Sequence, residues 1–175
     1  MTTILLDPDN YDENLEDIIK THRKIKIIET KYSGIDESFP VVFRYPEGVF
    51  YGHVFSDRIN DVIGGNADDL IIQTARTFTV EMKKYVSEEK YRLMVIGFFE
   101  YLDQIKPFVS DVISKGINTF SIKHKYLEKE LIEVLQMALI KTTKGPLIAD
   151  LIEAFGKAET EKRLKKYLKL YKYRF

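Results

Sequence analysis

Five lysines, Lys162, Lys165, Lys166, Lys169 and Lys172, recur at three- and four-residue spacing within a 175-residue chain. On an α-helix, residues three and four apart are neighbours on one face, so this spacing gathers the five ammonium groups into a row. A row spanning about 15 Å of helix matches several phosphates of a nucleic-acid backbone and neutralises them. Tyr173 and Phe175 follow in the same segment, and aromatic rings stack on bases that are not paired. Lysines interleaved with aromatics therefore favour a single strand over a duplex. The chemistry expected is nucleic-acid binding, to ssDNA or RNA. Lys162, Lys165, Lys166, Lys169 and Lys172 would supply charge, and Tyr173 and Phe175 the stacking groups.

Leu164, Tyr167, Leu168 and Tyr171 fall on the other side of the same helix. A helix of this length is marginal on its own in water, so its apolar stripe must dock. It docks either on the chain's own domain or on a second copy, in which case the stripe is a homodimer seam and the basic surface doubles. A plain terminal helix with solvated lysines is the reading without function. Residues 157–175 carry Lys157, Lys162, Arg163, Lys165, Lys166, Lys169, Lys172 and Arg174 against Glu159 and Glu161, a net +6. Residues 1–19 carry Asp7, Asp9, Asp12, Glu13, Glu16 and Asp17 with no base, a net −6. The net charge of zero thus hides a dipole. An acidic lead folded onto the basic helix would mimic phosphate, and removing it would tighten nucleic-acid binding.

The other constellations carry less. Residues 128–175 have the three-helix rhythm of a helix-turn-helix regulator with the final helix as reader. Against it, Ile152 stands where a small residue is usual, Lys162 where a buried aliphatic is usual, and 162–175 hold no Asn, Gln or Ser for base edges. Gly64-Gly65-Asn66 opens a helix, but Asp68 and Asp69 in its first turn repel an anion, so Asn66 reads as an N-cap. His22, His53 and His124 lie on separate elements. His53 alternates with Tyr51 and Phe55 along a strand, which predicts packing rather than acid–base work with Asp57, and a metal set of His53, Asp57 and Asp61 would need ligands from a strand end and a loop to converge. The acid pairs sit in helix first turns, where the dipole accounts for them. No nucleophile-elbow, phosphate-loop, zinc-protease or dinucleotide motif occurs. A non-enzymatic binder without metal or cofactor is expected.

The absence of Cys excludes disulfides, thiolate nucleophiles and thiolate metal sites, and fits a cytoplasmic protein. The longest apolar stretch, 93–99, is far short of a membrane span, and Ile4-Leu5-Leu6 is too short for a secretory signal. Abundant Lys with five Asn and three Gln is thermophile-like usage, and equally what an AT-rich genome encodes.

These residues need a scaffold, and the pattern predicts an α+β one. Residues 24–32, 39–45 and 49–55 are rich in β-branched and aromatic residues, and Tyr45-Pro46-Glu47-Gly48 joins the last two as a hairpin. A three-stranded antiparallel sheet over 24–56 follows from this, with a hairpin at 46–48. Helices are expected over 66–86, 87–106, 108–115, 123–142, 146–155 and 158–173, a body of five to six. Residues 1–23 read as a loosely ordered acidic lead with a short helix at 10–20. Residues 24–156 form the core domain, and 157–175 a basic helix, within that domain or appended to it for dimerisation.

Overall fold

The described residues of the first third of the chain are rich in apolar and β-branched side chains, and they form strands. The computed structural model describes residues 2–6, 25–30, 38–45, 48–55 and 80–170. Within these, four strands form, β1 (Thr2–Leu6), β2 (Ile25–Glu29), β3 (Ser38–Tyr45) and β4 (Gly48–Phe55), in the order β2-β1-β3-β4. β3 and β4 pair antiparallel from Ser38–Phe55 to Tyr45–Gly48, the hairpin anticipated from the Pro-Glu-Gly turn. β1 pairs antiparallel with β3 and parallel with β2. The sheet is therefore mixed and four-stranded rather than antiparallel and three-stranded. Its extra strand is residues 2–6, which the sequence placed in a loose lead. Ile4 and Leu5 are fully buried. A central strand covered on both faces reads as a continuous apolar run without alternation, which is why Ile4-Leu5-Leu6 gave no strand signal.

Residues opposite each other in the ladder share a face. Thr3, Val42 and Tyr51 line one face, together with Leu5, Ile28, Arg44 and His53. The helical body packs on this face. It consists of five helices among the described residues: α1 (Val80–Ser87), α2 (Glu89–Tyr101, continued by a 3-10 turn at Leu102–Gln104), α3 (Ser110–His124), α4 (Glu128–Ile140) and α5 (Ile148–Lys169). One hydrophobic core joins Leu5, Val42 and Tyr51 of the sheet to Phe98, Phe120, Leu135, Phe155 and Leu164 of the helices. No helix of the described residues is long and apolar enough to cross a membrane. The helix expected at 10–20, and most of that expected at 66–86, lie outside the described residues.

Gly116 explains the main misplaced boundary. The sequence ends a helix there and starts the next at 123, whereas α3 runs through Gly116 to His124. A Cβ at Gly116 would stand 3.3 Å from Ile105 and from the Tyr101 ring. The glycine lets α3 approach α2 and the turn after it, and does not punctuate the chain. α3 ends instead at Lys125, whose positive φ of 58° caps it, and α4 begins at Glu128.

His53 is buried in β4, with the Tyr51 hydroxyl 3.4 Å from its Nε2 and the two rings edge to face. Desolvation pushes its pKa down from 6.5 to about 4. The unfolded chain then binds a proton that the folded chain refuses, so stability falls as pH drops from about 6.5 toward 4. The full loss is about 3 kcal/mol. Urea titrations at pH 7, 5 and 4 read this loss, and His53→Gln should flatten the profile by the same amount. Superimposable profiles for the two proteins would remove His53 as the acid-sensitive group.

Candidate nucleic-acid interface

The basic row depends on how α5 is bent and held. Its first half is apolar almost all round, with Leu151, Ile152, Ala154 and Phe155 buried. Gly156 then adopts φ 79° and ψ 166°, a region that only glycine occupies without strain. This breaks α5 in two and re-aims its second half. The carbonyls of Ala154 and Phe155, at the end of the first half, accept hydrogen bonds from Arg44 Nη2 at 3.3 and 2.7 Å. A guanidinium from β3 thus sits on the negative end of the first half, where a cation is favoured. Lys26 on β2 pairs with Glu153 at 3.3 Å, and the Leu147 N–H donates to Thr30 Oγ1, so the sheet grips the first half at three places.

The second half presents two faces. Leu164 and Tyr167 are buried in this chain's own core, and the Tyr167 hydroxyl donates to the Tyr85 carbonyl of α1. Leu168 is half-buried against the same core. The stripe expected to dock does so intramolecularly, within the same body as the other helices. Leu164 and Tyr167 therefore do not form a surface seam for a second copy. Tyr171 lies outside the described residues.

The outer face carries Lys162, Lys165, Lys166 and Lys169, all exposed. Lys162, Lys166 and Lys169 make no ion pair among the described residues. Lys165 Nζ lies 5.4 Å from the centroid of Phe99, a half-buried ring on α2. Phe99 was not visible from the sequence, because the apolar periodicity of α2 runs through its neighbour Phe98. It puts an aromatic ring beside the basic row without any contribution from Tyr173 and Phe175. Those two residues and Lys172 lie outside the described residues.

Two other cations of the basic segment are committed to the fold. Lys157 donates to Asp103 at 2.5 Å and stands 3.9 Å from Glu161. This contact holds the Asp103 carboxyl below its ordinary value and raises that of Lys157. Arg163 is the larger surprise. Its Nε donates to Glu159 at 2.9 Å, Nη1 to the Leu139 carbonyl of α4 at 2.7 Å, and Nη2 to the Val49 carbonyl of β4 at 3.0 Å. Its guanidinium also lies 4.2 Å from the Phe155 ring centroid. Burial lowers its pKa, opposed by the Glu159 carboxylate. Arg163 fastens α5 to α4 and β4, and leaves the four lysines facing out.

The helix succession anticipated over 128–175 is seen as far as Leu170, in α4 and the two halves of α5. Ile152 is buried and Lys162 exposed within it. His124 ends α3 and His53 lies in the sheet, while His22, Asp57 and Asp61 are outside the described residues.

A protein-family model described as an anticodon binding domain matches residues 68–168. The match covers the helices almost to the end of α5 and leaves the four strands outside it. A glutamate–tRNA ligase of Amoebophilus asiaticus (strain 5a2) is 32% identical over 74 residues, which is 42% of this chain and 14% of the ligase. The stretch shared with that relative is thus a small part of the relative's length.

Proposed function

This chain belongs to the anticodon binding domain family, and from that premise we propose that it is a non-enzymatic RNA-binding protein whose ligand is tRNA. The observation that carries the reading is the row of Lys162, Lys165, Lys166 and Lys169, exposed on a helix whose opposite face is fixed in the core. Such a row presents its charges from a backbone that is already fixed, so binding orders the lysine side chains but not the helix. Phe99 beside Lys165 offers a ring to an unpaired base, as in an anticodon loop, and supports preference for a single strand over a duplex. Lys172, Tyr173 and Phe175, which the sequence reading adds as further contacts, lie outside the described residues. The chain is proposed to act without metal or cofactor, inside the cell.

Fluorescence titration tests this with the full chain and four probes: a glutamate-accepting tRNA, its isolated anticodon stem-loop, a single-stranded DNA and a duplex DNA of matched length. The tRNA and stem-loop should bind more tightly than the duplex, with log K falling against log[salt] at a slope of about −3 for four phosphate contacts on a single strand. No binding of any RNA at 50 mM salt would overturn the proposal. Tighter binding of the duplex DNA would favour the helix-turn-helix reading instead.

A further inference from the structure

We propose that the corner between α3 and α4 is a second RNA contact, separate from the lysine row, where an unpaired base stacks against His124 and Tyr126. This rests on the reading that the chain binds RNA. The corner is held firmly: the Tyr126 N–H donates to the Ser121 carbonyl at 2.9 Å and the Lys125 N–H to the Ile122 carbonyl at 3.2 Å. The His124 and Tyr126 rings lie 14° from parallel with centroids 5.7 Å apart. His124 is exposed, yet its ring is backed at 4.4 Å by Phe120, which is buried against Phe98 and Tyr101. The pair is an aromatic shelf anchored in the core and open to solvent.

The charge around the shelf is net positive. Lys123, Lys125 and Lys129 are exposed and make no ion pair among the described residues. Against them stand two acids of the first turn of α4: Glu130 is paired with Lys90 at 3.2 Å, and Glu128, which accepts from Asn118 Nδ2 at 3.0 Å, keeps its charge. Uncommitted ammonium groups around exposed rings form the combination that single-stranded nucleic acid selects. Ile122 and Leu127, near the corner in the chain, are apolar and 69% and 67% exposed. An apolar protein partner would use those two side chains but would gain nothing from three unpaired lysines, so charge decides for RNA. Phe120, which backs the shelf, packs on Phe98 and Tyr101 of α2, and the lysine row meets the same helix at Phe99.

The test titrates the same anticodon stem-loop and whole tRNA against wild type, Lys123→Gln/Lys125→Gln, and His124→Ala. The double variant should weaken tRNA binding and flatten the salt slope by about 1.4, the share of two phosphates on a single strand. His124→Ala should weaken binding about five-fold or more with the slope unchanged, because stacking releases no counterions. Thermal melts confirm that both variants fold, and photocrosslinking of 4-thiouridine-substituted RNA to the wild type should label the peptide containing 124–126. If wild type binds RNA while both variants match it and no crosslink appears, the corner is not an RNA contact. If the corner variants match wild type in RNA binding and Ile122→Asp abolishes self-association of the wild type, the corner is a protein surface and the proposal falls. If wild type binds no RNA, the premise and the proposal fail together, and the wild-type curve alone reveals it.

Discussion

Replacing Lys162, Lys165, Lys166 and Lys169 together with glutamine should lower RNA affinity by about 10²- to 10³-fold at 0.1 M salt. The magnitude follows from counterion release: four contacts on a single strand contribute a slope of about −2.8, and that factor is what binding forfeits when the charges go. The salt slope should flatten by the same amount, so dilute and concentrated salt nearly coincide in the variant. The fold should be spared. All four side chains are exposed, and surface substitutions of this kind usually cost within about 0.5 kcal/mol each. Glutamine keeps the helix propensity of lysine and is shorter by a single atom, which makes charge the main variable. Denaturant midpoints and RNA titrations on the same preparations check both halves. A quadruple variant that binds within two-fold of wild type would show that the row is only a solvated helix face.

Arg163→Ala should have the opposite profile, with a large loss of stability and no direct loss of an RNA contact. The guanidinium satisfies the Leu139 and Val49 carbonyls and the Glu159 carboxylate at once. Truncation leaves two carbonyls without their donor and a carboxylate that is only 11% exposed without its cation. Removing one partner of such an arrangement costs about 3 kcal/mol, more than any surface lysine can contribute. Arg163→Lys should recover little of it, since one ammonium lacks the planar fork that reaches carbonyls on two elements. Urea unfolding gives the number directly, and a loss below about 1 kcal/mol would mean the clasp is not what holds α5. RNA titrations with the variant well below its unfolding midpoint should still show the wild-type salt slope. The pair of experiments therefore separates two kinds of cation that charge counting treats alike.

That distinction marks how far the sequence could be read. The lysine row was legible because its signal is periodic and local, and so was the stripe of Leu164 and Tyr167 behind it. Where the stripe would dock was not, since a spacing of three and four does not say whose core it enters. Arg163 and Lys157 counted equally with Lys162 toward a net charge, because their partners at Val49, Leu139 and Asp103 are remote in the chain. The hairpin of β3 and β4 announced itself through a two-residue loop and adjacent strands. β1 did not, since a buried strand without alternation is indistinguishable from a few apolar residues in a loop. Gly116 misled for a related reason: close approach of two helices and the end of one call for the same residue type. The aromatic shelf at His124 and Tyr126 escaped because a boundary drawn at 123 put His124 at the start of a helix, where it stands at the end of one.

The placement of β1 also bears on how the molecule can assemble. The hairpin of β3 and β4 closes over a short loop and needs little else. β1 must instead be threaded between β2 and β3, so its two neighbours meet it across tens of residues of chain. The Arg44 contacts to Ala154 and Phe155 then join positions 110 and 111 apart. Ordering that much intervening chain is entropically costly until the helices are in place to return it. The inner face of the sheet is closed by the helix that carries the lysines. Excising residues 1–19 to expose the basic row would remove the middle of that sheet together with the acids, so a looser grip on RNA after such a cut would report a lost strand and not a lost inhibitor.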